Sequence, residues 1–183
     1  MPSTFYVIQV KTRGEQKYLN FALPITETRN VQILWPRRSL RIRKRGKWHE
    51  VQNPIFPGYL FLEVEELDPQ LYWDLKKIPG FFRFLKNNHD IQAMPEPDAR
   101  ILANLLRFGE VVKKSVAAFD EGGRIRIIEG PLKGMEGRIA KVDKRKGRAK
   151  IKLALYENSY VVDFGFQSIE KAKDNEDSAK NSE

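Results

Sequence analysis

Cysteine is absent from the chain, which excludes disulfides, thiolate metal sites and cysteine nucleophiles. Nothing in such a chain calls for an oxidising compartment, so the cytoplasm is the expected location. Histidine is nearly as scarce: His49 and His89 stand alone, with no spacing for a metal site or a catalytic triad. Asp90 and Glu96 have no partnered acid–base arrangement. Long apolar runs are also missing. No stretch approaches the roughly 18 apolar residues of a membrane span, so a soluble chain with no membrane partner is expected. Phe5 to Val10 has no basic segment before it and reads as a strand, not as a signal peptide. With no catalytic constellation and no cofactor motif, a binding protein is expected, not an enzyme.

Positive charge is what the chain has in excess. It holds 33 Lys+Arg against 24 Asp+Glu over 183 residues, a net charge of +9, and its pI is near 9.7. That balance is the usual electrostatic footprint of a nucleic-acid binder, although membrane-surface proteins share it. Hydrophobic residues make up 41%, enough for packed cores in one ordinary domain or two small ones.

Along the chain the apolar period changes once. The first part mixes strands and helices. Phe5 to Val10 reads as a strand. Thr12 and Glu15 have capping-box spacing before a helix with Tyr18, Leu19, Ala22 and Leu23 on one face, which Pro24 is expected to stop. Val31, Ile33 and Trp35 alternate as a second strand. Ser39 to Val51 alternates on both sides of a Lys44-Arg45-Gly46 turn, a hairpin signature. Ile55 to Leu62 is apolar enough for a central strand, with Pro57-Gly58 marking a kink. Asp68-Pro69 caps a second helix carrying Leu71, Tyr72, Leu75 and Ile78. Phe81 to Leu85 is another strand, and a third helix starts near Pro95 to Asp98.

From Phe119 onward no helical period survives. Short strands are expected at 124–128, 135–142, 148–153 and 160–164, separated by glycines, as in a small five-stranded barrel. Gly130, Gly134 and Gly137 precede no helix and no Gly-Lys-Ser/Thr, so positive-φ turns explain them better than a phosphate loop. The expected fold class is α+β: a sheet flanked by helices, then a small barrel. The expected domains are 4–109, a linker at 110–118, the barrel at 119–171 and a disordered tail at 172–183.

Two segments agree with one family. Phe5 to Val10 together with Ile55-Phe56-Pro57-Gly58-Tyr59-Leu60-Phe61-Leu62 resembles the N-terminal domain of the bacterial NusG family. Arg124 to Ile139, with Gly130, Gly134 and Gly137, is similar to its KOW motif. The resemblance implies a transcription elongation factor whose N-terminal domain grips RNA polymerase and suppresses pausing. It also implies a tethered barrel that recruits a second partner, such as Rho or a ribosomal protein. By motif match, the polymerase-contacting aromatics are Phe56, Tyr59 and Phe61. Leu60 to Glu63, Phe82 to Leu85, and Lys86-Asn87-Asn88 in place of a Gly-Gly-Thr turn are similar to the specialised paralogs, RfaH- and LoaP-like. A specialised antiterminator is therefore preferred over a housekeeping factor coupling polymerase to Rho or the ribosome. A ribosome-associated RNA-binding protein is a further alternative, since KOW barrels occur there too. A monomer is expected.

Two basic clusters stand out. Arg37, Arg38, Arg41, Arg43, Lys44, Arg45 and Lys47 lie in the hairpin, and the resemblance implies that this hairpin lies beside DNA near the transcription bubble. A solvated face is the plainer reading of such a run, but like charges repel unless an anion is near. Lys144, Arg145, Lys146, Arg148, Lys150 and Lys152 form the second. There Arg148, Lys150 and Lys152 alternate with apolar residues, so a strand places all three on one face. The barrel is expected to bind nucleic acid, structured RNA among it, through this face. Aromatics are scarce in that hairpin, so backbone contact is favoured over the reading of unpaired bases.

Overall fold

A computed structural model describes residues 4–86, 91–156 and 158–169. The expectations for Asn87, Asn88, His89, Asp90 and the 172–183 tail lie outside them. In the N-terminal part, β1 (Phe5–Val10) lies between β5 (Tyr59–Glu63) and β6 (Phe81–Phe84), with β2 (Gln32–Leu34) on the far side of β5. All these pairings are antiparallel.

Both faces of this sheet are covered, which is why β5 reads as an unbroken apolar run and not as an alternation. Side chains still point to opposite faces in turn. Ile8, Val10, Leu60 and Leu62 share one core with Tyr18 and Ala22 of α1 (Glu15–Glu27) and Leu71 and Leu75 of α2 (Pro69–Lys76). Val7 and Phe61 join the other core, with Ala99, Leu102 and Leu105 of α3 (Glu96–Leu106). Tyr18 is fully buried and its hydroxyl donates to the Leu75 carbonyl at 2.8 Å, tying α1 to α2.

Two expectations for α1 are corrected here. Gly14, not Thr12, is the N-cap of α1, and no side chain caps it. The Glu15 carboxylate turns inward instead and accepts from the Gly58 N–H at 2.7 Å. Pro24 does not stop α1, which runs on to Glu27. Burying Thr26 and packing Ile25 on the core offsets the roughly 3 kcal/mol that an interior proline costs. The Asp68 cap does form, its carboxylate accepting from the Leu71 N–H at 2.9 Å.

The hairpin pairs β3 (Arg37–Lys44) with β4 (Lys47–Pro54). Arg45 and Gly46 turn it, both at positive φ (50° and 78°), the primed geometry that matches strand twist. Residues 110–118, expected as a linker, hold β7 (Val111–Val112), parallel to β3, and β8 (Ser115–Phe119). β8 is a strand of the barrel, which therefore starts at Ser115 and not at Phe119. The barrel continues with β9 (Ile125–Glu129), β10 (Ile139–Asp143), β11 (Arg148–Leu155) and β12 (Asn158–Ser168). It forms a curled five-stranded sheet in the order β10-β11-β12-β8-β9. Residues 136–138, expected inside a strand, make a 3-10 turn before β10.

Gly130 shows what the glycines do. It sits at φ 104°, and a Cβ there would lie 2.8 Å from the Ser115 Cα. A side chain fits neither the angle nor the space.

Candidate nucleic-acid interface and aromatic patch

The turn at Phe56 to Tyr59 is clamped from behind. Gly58 has φ +84°, and a Cβ on it would meet the Thr12 hydroxyl at 2.9 Å. Its N–H goes to buried Glu15 and its carbonyl accepts from the Val10 N–H at 2.8 Å. Replacing Glu15 with alanine is expected to cost about 1–3 kcal/mol, because the buried Gly58 N–H loses its acceptor. A shift of the urea midpoint at unchanged m-value measures this; no shift would show that the carboxylate does not hold the turn.

The three aromatics expected as polymerase anchors have different surroundings. Phe61 is fully buried in the core of the sheet. Phe56 is also buried, its ring 5.7 Å from that of Phe61. Tyr59 is half-buried. Much of this cover comes from the barrel. The Tyr160 ring on β12 stands edge-on to Phe56 at 5.3 Å and to Tyr59 at 6.5 Å. Leu153, Leu155, Val162 and Phe164 belong to the same hydrophobic cluster as Phe56, Phe61 and Leu102. Polar contacts border it: the Tyr156 hydroxyl donates to the Gln92 carbonyl at 2.8 Å, and Asn104 donates to the Pro131 carbonyl at 3.2 Å. Burial pushes the Tyr156 hydroxyl up to about 12. Burial, with the neighbouring Tyr59, raises Tyr160 to about 12 as well.

The hairpin cations divide into two groups. Arg37 and Arg38 are half-buried at its base. Arg37 donates to the Gln52 side chain at 3.0 Å, and its guanidinium lies 4.9 Å from the centre of the Trp35 ring. Arg38 donates to the Pro54 carbonyl; burial lowers its pKa, and Asp163 of β12 partly opposes that. Arg37 is thus built into the base of the hairpin, and Arg38 into its join with the barrel. Arg41, Arg43, Lys44, Arg45 and Lys47 are exposed. Among the described residues, none of the seven pairs with a carboxylate.

In the barrel the expected alternation holds. Ala149, Ile151 and Leu153 are buried, while Lys150 and Lys152 are exposed. Lys150 pairs with Asp163 at 3.7 Å and Lys146 with Asp143 at 3.9 Å. The Lys144 ammonium lies 4.0 Å from the Phe119 ring centre. Arg148 reaches across to the hairpin and donates to the Arg41 carbonyl at 3.0 Å. The two clusters thereby face each other across an open cleft of about 570 Å³. Arg41, Arg43 and Trp48 form one wall, Arg145, Lys146 and Arg148 the other, with Ile42 between. Trp48 was missed in the sequence. A tryptophan inside a basic hairpin is the available signal.

A helix-flanked sheet with a basic hairpin, docked on a small curled barrel with a basic face of its own, defines a two-module binding protein. A family model described as "Transcription termination factor nusG" matches residues 3–103, more than half of the chain. The chain belongs to the NusG family. It is 28% identical over 172 residues to the transcription termination/antitermination protein NusG of Thermus thermophilus, covering 90% of this chain and 91% of that one. It is 26% identical over 185 residues to the protein of the same name from Borreliella burgdorferi, covering 93% and 100%. A solved structure described as "Domain interaction in Thermotoga maritima NusG" superposes with a TM-score of 0.58 at 20% identity. That match covers 89% of this chain and 93% of that one, and supports the shared fold. The named relatives are transcription termination and antitermination proteins, and the general role of this chain is theirs. No helix among the described residues is long and apolar enough to cross a membrane.

Proposed function

We propose that this chain is an elongation or antitermination factor that holds RNA polymerase through Phe56 and Tyr59 and lays the tip of its basic hairpin on DNA near the transcription bubble. Phe61 backs this anchor from inside the core and does not itself touch the partner. The observation that carries the nucleic-acid part is the tip itself. There Arg43, Lys44 and Arg45 are exposed, with no carboxylate among the described residues paired to them. Uncompensated like charges at a rigid turn favour a polyanion beside them.

Reversing the three together, Arg43→Glu with Lys44→Glu and Arg45→Glu, is expected to weaken binding to an elongation complex. It should also flatten the salt dependence by about 0.9 in log–log slope for each duplex phosphate no longer neutralised. An unchanged affinity and slope would remove the hairpin from the interface.

Docking of the barrel bears on the same function. Tyr160 packs on Phe56 and Tyr59, so the proposed anchor is free for polymerase only when the barrel swings away. The released barrel then presents its own basic face to structured RNA or to a protein partner such as Rho or a ribosomal protein. Whether the chain acts at a few operons, as a specialised paralog, or everywhere is read from its occupancy across the genome.

A further inference from the structure

We propose that the cleft between the β3–β4 hairpin and the β10–β11 turn is one binding site for an unpaired stretch of polynucleotide, complete only while the barrel is docked. This rests on the reading above that both basic clusters meet nucleic acid, and it joins two surfaces that were legible only separately.

Three observations carry it. The first is charge. Arg41 and Arg43 on one wall face Arg145, Lys146 and Arg148 on the other, with no carboxylate in the lining. Five cations brought together by docking repel one another, and a phosphodiester backbone between them offsets that cost. The second is rigidity. Arg148 is fixed by its bond to the Arg41 carbonyl at 3.0 Å. The turn carrying Arg145 and Lys146 is held by Gly147 (φ 60°), whose carbonyl accepts from the Phe166 N–H at 2.8 Å. A Cβ at Gly147 would come within 2.7 Å of the Phe166 carbonyl oxygen. The turn therefore keeps its backbone shape.

The third is the aromatic. Trp48 is 53% exposed, with the Arg41 guanidinium 4.8 Å from its ring centre. The barrel wall offers nothing similar, since Phe119 is covered by Lys144 and packs on Phe166. Cations from both walls and a stacking ring from only one make a site for a backbone whose base is out of its helix. A duplex keeps its bases stacked inside and gives Trp48 no face to meet. The cleft volume of about 570 Å³ falls within the roughly 300–1,000 Å³ that takes a small-molecule-sized group such as a nucleotide.

A consequence follows for regulation. A ligand that needs both walls binds the docked form better and shifts the population toward it. Unpaired polynucleotide then keeps Phe56 and Tyr59 covered.

The test titrates the intact chain against labelled octanucleotides: oligo-U, oligo-dT, and a hairpin duplex of matched charge. Both single strands are expected to bind one per chain, with the duplex about tenfold weaker. The ratio between oligo-U and oligo-dT then tells whether RNA or DNA is the source. Trp48→Ala is expected to weaken the single strands about fivefold to a hundredfold, with Trp48→Phe recovering most of the loss. Tyr160→Glu removes no cation from the cleft yet is expected to weaken them about tenfold, because it parts the walls.

Two oligonucleotides per chain, or full affinity in Tyr160→Glu, would overturn the shared site while leaving two separate nucleic-acid surfaces standing. Tighter duplex binding with no effect of Trp48→Ala overturns it equally. No binding of any probe at low salt sinks both this site and the nucleic-acid reading of the clusters. If Tyr160→Glu does not fold, NMR on the wild type decides. The Trp48 indole N–H and the Arg145 and Gly147 amides must then follow one binding curve, and two different curves overturn the proposal.

Discussion

Truncating Phe61 to alanine is expected to lower the unfolding free energy by about 3–5 kcal/mol, as in other removals of a buried phenylalanine. Phe61 has 0% exposure and lies on a central strand, paired with Val7 of β1 and Leu34 of β2. Neighbours held on both sides by ladders cannot close in on the space left behind, so the loss belongs in the upper part of that range. Tyr59, two residues earlier on the same face, is half-buried and packs on Tyr160 only while the barrel is docked. Tyr59→Ala is expected to cost about 1 kcal/mol, near the centre of the distribution for point mutants. Urea unfolding of the two variants measures the contrast. Equal losses would mean that Phe61 is no more a core residue than Tyr59.

That contrast also marks where sequence reasoning runs out. Apolar character in β5 was plain from Tyr59 to Leu62, but a run buried on both faces does not say which members face which core. Only the partner strand and the helices on each side decide that. Pro24 misled because the rule for interior proline is local, whereas the packing of Ile25 and Thr26 that overrides it is tertiary. The capping-box spacing of Thr12 and Glu15 was real, yet the carboxylate found a better donor in Gly58, 43 residues away in sequence. β8 was missed because Ser115 to Phe119 is a short segment after a charged pair, and its pairing partners, β9 and the far end of β12, come later in the chain.

The Arg45-Gly46 turn, the Asp68 cap and the one-sided lysines of β11 were all legible, since each follows from neighbours a few positions apart. The cleft was not. Its two walls are linked by Arg41 and Arg148, which lie 107 residues apart, and no periodicity spans such a gap.

Placing a charge at the docking contact, Tyr160→Glu, is expected to separate the modules and strengthen binding of the proposed partner, RNA polymerase. The contact is apolar, and its aromatic part is the three rings of Phe56, Tyr59 and Tyr160. One ring on β12 meets Phe56 edge-on at 5.3 Å and Tyr59 at 6.5 Å, and a carboxylate there would have to shed its water against two rings. Apparent affinity falls in proportion to the fraction of molecules in the competent state. If the open form is about a tenth of the population, forcing it open raises affinity about tenfold. The same interface has a pH signature. The Tyr156 and Tyr160 hydroxyls, at about 12 in the docked chain against about 10 when free, favour docking only while protonated. Their contribution is complete below about pH 10 and is lost as pH rises from there through 12. Barrel amide shifts in the wild type should therefore move toward those of Tyr160→Glu across that interval. A variant with unchanged polymerase affinity would mean that the barrel does not cover the anchor. Wild-type shifts that stay flat to pH 12 would mean that these two hydroxyls do not report on docking.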